Sequence, residues 1–314
     1  SAFQELMQVA DSGARSSLIE IIRKDIFLRT LDGFCDEVVE QTSIERNTMI
    51  KDYIRGLNSP FAPAIPVENS ISISIIRSIM VIFQSSIGSV YEPKSDQLGK
   101  LEMQRLPMKA LYVLKRIIPW VDMSLFLNDA IIGSLLACLM HAGPGDIDDD
   151  NGEGSLASQC ATEAVDCFKE IVSKGMEDQK KIEMITDLNL LQRIIESGVN
   201  LDTVDGTHIN IVIRIAELVT MIGIEITNFW ESATMNNMPS DQIIELMSSQ
   251  LNLLLALFFK CFAYDDIDVS GAVIPLASRF VSTLEKEMNA FSRKKEFSIS
   301  AHMPQMLSVM YEQM

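Results

Sequence analysis

The segment GPGDIDDDNGEGS (143–155) carries five carboxylates, Asp146, Asp148, Asp149, Asp150 and Glu153, and no base, in glycine-rich chain between two apolar runs. Calcium is the first chemistry to test. A loop opening at Asp146 places Asp148 and Asp150 correctly for an EF-hand. It then needs Gly at 151 and Glu at 157, where the chain has Asn151 and Ala157. The segment therefore reads first as a solvated connection between helices, second as a docking loop for a basic partner, and only third as a metal site.

Nucleophilic chemistry has less to work with. The histidines, His141, His208 and His302, are far apart, there is no GxSxG, and GPG lacks the Gly-Lys-Ser/Thr ending of a phosphate loop. Cys35, Cys138, Cys160, Cys167 and Cys261 show no CxxC spacing, which argues against zinc and for reduced, packed thiols. The expectation is a protein that is not an enzyme and needs no cofactor or metal.

A basic stripe is the remaining candidate. Lys100, Arg105, Lys109, Lys115 and Arg116 face only Glu102 in the same stretch, and Pro107 suits the first turn of a helix. Lys109 and Arg116, seven residues apart, then share a helix face with Lys115 beside them. Such a row can track phosphates without reading bases. Arg46, Lys51 and Arg55 form a weaker row, and RKK (293–295) reads as a loop cluster. The opposite reading is a solvated helix face, and the direction in which Lys109, Lys115 and Arg116 point decides between them.

The chain that must position these groups is acidic and apolar. Of 314 residues, 47% are hydrophobic and only 7% aromatic, so aliphatic side chains and 18 methionines must fill the core. The net charge of −17 repels nucleic acid at long range and favours basic partners. The longest apolar run, LNLLLALFF (251–259), is too short to span a bilayer and is followed by Lys260, so no membrane insertion is expected.

Helical periodicity dominates. Apolar residues recur at three- and four-residue steps in WVDMSLFLNDAIIGSLLACLMH (Met123, Phe126, Leu127, Ile131, Leu135, Cys138, Leu139) and at Ala164, Val165, Phe168, Ile171 and Val172. The pattern continues through Met184, Leu188, Leu191 and Ile195, and then through Ile211, Ile215, Leu218, Ile222 and Ile226. Ile244, Met247, Leu251, Leu254, Phe258 and Phe262 follow, then Ile274, Ala277, Val281, Leu284 and Met288. Period-two alternation occurs only in ISISI (71–75), which runs straight into IRSIMVIFQSSI and is read as helix. TSIE from Thr42 resembles a capping box, and SPFAPAIP (59–66) is a proline-rich connection. These features predict an all-α, HEAT-repeat-like α-solenoid, a superhelix of stacked antiparallel helix pairs. It is expected to be one continuous segment over 1–314, with 143–155 as an acidic flexible loop between helices. Apolar helical patterns at both ends predict a segment cut from a longer solenoid.

The ordered series IERNTMIKDYIR (44–55), WVDMSLFLNDAIIGSLLACL (120–139), EAVDCFKEIVSKGM (163–176) and ELVTMIGIEITNFW (217–230) resembles the central part of the exportin-t family. DDIDVSGAVIPLASRFVSTLEKE (265–287) matches more loosely. These are the tRNA export receptors of the importin-β superfamily. The resemblance implies a HEAT-repeat superhelix that binds tRNA cooperatively with GTP-bound Ran, meets nuclear pore proteins, and shuttles between nucleus and cytoplasm. It implies RNA recognition by shape and backbone, but assigns no contact residue. It also marks 143–155 as an insertion, since other members join the flanking helices by a shorter connection. Asp146, Asp148, Asp149, Asp150 and Glu153 are then candidates for contact with Ran, because related export receptors use acidic loops there. Arg105, Lys109, Lys115, Arg116, Arg46, Lys51 and Arg55 remain the candidates for RNA. The competing class is a protein-only α-solenoid scaffold that grips basic protein partners.

Overall fold

The computed structural model describes residues 18–39, 48, 71–91, 98–140, 155–197, 199, 201, 209–236 and 241–291, and every structural statement below concerns these. The acidic loop, the three histidines, the Arg46–Lys51–Arg55 row, TSIE, SPFAPAIP and RKK lie outside them. The described elements are all helical. The chain divides into two compact units, residues 1–171 and 172–314.

The first unit contains α1 (Leu18–Val39), α2 (Ile71–Ser86), α3 (Leu98–Ile117), α4 (Asp129–Met140) and most of α5 (Leu156–Ser173). In α1 the sequence buries Ile21, Phe27, Leu28, Leu31 and Cys35 at helical spacing, while Ile19, Ile22, Ile26 and Phe34 stay exposed. ISISI is the start of α2, as expected, and its Ile75, Ile76, Ile79, Ile82 and Phe83 are buried. The helix packs along α3, where Leu106, Ala110, Leu111, Val113 and Leu114 form the facing seam.

Side-chain pairings give the helix directions. Lys109 meets Asp25 while Arg116 meets Asp32 and Asp36, so α1 and α3 run parallel. By contrast, Cys167 Sγ donates to the Leu111 carbonyl at 3.6 Å while Lys115 reaches back to Glu163, so α3 and α5 are antiparallel.

The second unit holds α6 (Asp178–Leu188), α7 (Leu190–Glu196), α8 (Ile209–Asn236), α9 (Asp241–Phe262) and α10 (Ile267–Phe291). Lys181 pairs with Glu225 and Ser232 with Asp178, so α6 and α8 are antiparallel. Thr220 donates to the Ala272 carbonyl at 2.8 Å and Arg279 to Asn228 at 2.7 Å, so α8 and α10 are parallel. Antiparallel neighbours combined with parallel stacking of non-consecutive helices is the arrangement of a HEAT-type solenoid. Each unit shows it.

Gly223 lies against its neighbours' side chains. A Cβ there would sit 2.6 Å from both Leu276 methyls and 3.2 Å from a Leu254 methyl, so a larger residue would require those side chains of α10 and α9 to shift.

Four expectations are corrected. The run from Met123 is not one helix. Asp122 accepts from Ser124 N at 2.9 Å and Asn128 from Ile131 N at 3.0 Å, so two side-chain caps divide it into a 3-10 turn (Met123–Leu125) and α4. Leu127, between them, is exposed. Pro107 lies inside α3, not in its first turn, since the helix begins at Leu98.

Asn189 adopts the left-handed conformation, at φ 48 and ψ 40, and resets the helical phase between α6 and α7. Ile194 is therefore buried and Ile195 exposed. In α10 the buried seam is Val269, Val273, Leu276, Ala277, Phe280 and Leu284, which leaves Ile274 and Val281 in solvent with Ile267. That helix carries two apolar stripes, and counting every aliphatic residue onto one face merged them.

By length and composition Ser72–Tyr91 and Ile267–Lys286 are long and apolar enough to cross a membrane. Both are packing helices here, lying against α3 and α8 respectively.

Candidate nucleic-acid interface

Helix α3 places its bases on three different surroundings. Arg105 is more exposed than Lys109, Lys115 and Arg116, with 48% of its side chain accessible, and its Glu102 partner is 3.7 Å away. Lys109 turns to α1, 2.5 Å from Asp25 and 3.8 Å from Glu102. Arg116, one heptad on, is clamped by Asp32 and Asp36 and also donates to the Asp32 backbone carbonyl at 3.4 Å. Lys115 turns the other way, to Glu163 at 2.7 Å and Asp166 at 3.2 Å on α5. The structure thus brings Lys109 and Arg116 onto one seam and sets Lys115 on another.

Electrostatics follow from this geometry. Burial alone would lower the Arg116 value, but its hydrogen bonds to Asp36 and Asp32 outweigh that and raise it. Lys115 behaves alike: burial opposes its charge, and Glu163 and Asp166 raise it overall. Both groups are firmly cationic and matched by carboxylates.

Sequence reasoning missed those carboxylates. The signal for them was present, because Asp25 and Asp32 repeat the seven-residue spacing of Lys109 and Arg116. It also passed over Tyr112, an exposed ring with Lys115 Nζ 5.2 Å and the Arg116 guanidinium carbon 5.9 Å from its centroid. An exposed aromatic flanked by cations can stack a base while its neighbours approach phosphate.

Other chemistries find little support among the described residues. No group of three or more His, Cys, Asp or Glu side chains is arranged to hold a metal ion. All five cysteines are buried. Burial pushes the thiols of Cys138 and Cys261 up to about 12 and that of Cys35 to about 11, away from nucleophilic thiolate.

No family model matches the chain. Curated relatives do. An exportin-T from Dictyostelium discoideum is 28% identical over 83% of this chain and 20% of its own length. One from Podospora anserina is 28% identical over 83% of this chain and 23% of its own. The Homo sapiens exportin-T is 22% identical over 96% of this chain and 26% of its own. The chain spans about a fifth to a quarter of the length of the curated relatives it matches. With stacked helices in both units and these matches along most of its residues, the chain is similar to one segment of exportin-T.

Proposed function

We propose that this chain is a segment, central in position, of a nuclear export receptor for tRNA. The complete receptor binds tRNA cooperatively with GTP-bound Ran, meets nuclear pore proteins, and shuttles between nucleus and cytoplasm without inserting in membrane and without catalysing a reaction. The observation that carries this reading is the match to proteins named Exportin-T along 83% to 96% of the chain. The stacked all-α architecture is consistent with it.

Of Arg105, Lys109, Lys115 and Arg116, Arg105 is the base best placed for a phosphate. Tyr112, with Lys115 and Arg116 at its ring, is the adjoining candidate surface. Lys109, Lys115 and Arg116 take part only by exchanging a carboxylate for a phosphate. Arg46, Lys51, Arg55 and the acidic loop from Asp146 to Glu153 stay in the proposal as further RNA and Ran contacts.

A second reading has one observation in its favour. The α3 bases are matched by acids and the net charge is −17, as suits a scaffold that grips basic proteins.

The deciding experiment measures tRNA binding by the full-length parent protein with and without GTP-loaded Ran at fixed salt. Binding that depends on Ran-GTP supports the export receptor. Weak, salt-dependent binding that ignores Ran replaces it with the scaffold.

A further inference from the structure

Both units tie their parallel helix pair with two bases one heptad apart on the downstream helix. In the first, Lys109 and Arg116 of α3, seven residues apart, reach Asp25, Asp32 and Asp36 of α1. In the second, Arg279 and Lys286 of α10, again seven apart, both reach Glu231 of α8, at 2.9 and 3.0 Å. Arg279 also bonds Asn228, and Thr283 adds a 2.7 Å hydrogen bond to Glu231. In each case the downstream helix supplies the bases and the upstream helix the acids.

The apolar seams restrict sliding through shape, as at Gly223 against Leu276, and the charges add a second restriction. Aliphatic packing is non-directional and roughly proportional to buried area. After sliding one heptad, about 10.5 Å, apolar side chains would still largely meet apolar side chains, though of other sizes, such as Ile117 in place of Ala110. The charges lose pairings in that slide. Moving α3 by seven residues along α1 would set Lys109 against Asp32 and carry Arg116 past its two carboxylates. Desolvation offsets part of what these half-buried pairs contribute to stability. Their value is in excluding the wrong alignment, the best-attested use of ionic groups at helix interfaces.

We propose that the two ladders are register locks. Each fixes how far one helix slides along its parallel neighbour, while the apolar seam supplies the adhesion. The inference holds whether or not the chain serves RNA export.

Zero-length carbodiimide cross-linking of the full chain, read by mass spectrometry, tests it, because it joins only amine and carboxylate in direct contact. The unaltered chain should give Lys109–Asp25 and Lys286–Glu231. Arg116→Gln keeps the seam and removes one rung. It should cut the Lys109–Asp25 product several-fold and raise Lys109–Asp32, with a small change in melting temperature. Arg116→Asp combined with Asp32→Arg and Asp36→Arg should restore Lys109–Asp25. An unchanged cross-link pattern in Arg116→Gln overturns the proposal, because the seam alone then sets the register. If Arg116→Gln unfolds and the reversed ladder does not recover the fold and the cross-link, the proposal fails as well.

Discussion

At the scale of single residues, Arg105 and Gly223 make opposite kinds of statement. Arg105 is weakly paired and half exposed, so its substitution tests recognition without disturbing packing. If it meets phosphate, Arg105→Ala in the complete receptor should weaken binding to all tRNAs alike and lower the salt slope by about one counterion. Titrations at several salt concentrations read both effects. Gly223 tests packing alone. Gly223→Ala drives a methyl into Leu276 and should cost about 1–3 kcal/mol. Paired with Leu276→Val it should cost less than the two changes summed, which chemical denaturation of the four variants would show. Neither role was fully legible in the sequence. A glycine among aliphatics gives no sign of what lies opposite. Arg105 was named for its charge, but its freedom comes from partners that chose Lys109 and Arg116 instead.

At the scale of elements, the α8–α10 stack should respond to acid. Burial alone would raise the Glu231 carboxyl. Its hydrogen bonds to Thr283 and Lys286, with the charges of Arg279 and Lys286, lower it below the ordinary 4.5. A depressed carboxylate contributes stability above its unfolded value and loses it as pH falls through the folded one. Hydrogen-exchange protection in α8 and α10 should therefore drop as pH falls below 4.5, and Glu231→Gln should flatten that step. Pro275 offers a gain. It stands exposed inside α10 and removes one backbone donor, so Pro275→Ala should raise the stability by up to about 3 kcal/mol, seen as a higher melting temperature.

The existence of these helices could be read from period alone, because burying an aliphatic face requires it. Their phase could not always be read. Asn189 in the left-handed region and the caps at Asp122 and Asn128 shift it by backbone events that no count of apolar residues contains. In α10, two stripes of similar hydropathy differ only in which one a neighbour covers. The bases of α3 were visible and the acids of α1 were visible. What joined them was the parallel alignment of helices separated by many residues of chain.

At the scale of the whole molecule, charge is the dominant property. With a net −17 and a pI near 4.6, the chain repels RNA beyond contact range. Its association rate with tRNA, measured alone by stopped flow, should rise as salt is added and the repulsion is screened. A rate that falls with salt would mean a local basic surface governs the encounter. The five shut cysteines bear on the molecule as a tool. Maleimide should leave the folded chain unmodified and mark five sites once it is denatured. A sixth cysteine, placed at exposed Ser278 for instance, would then take a fluorophore with no background to remove. The chain comes already prepared for spectroscopy.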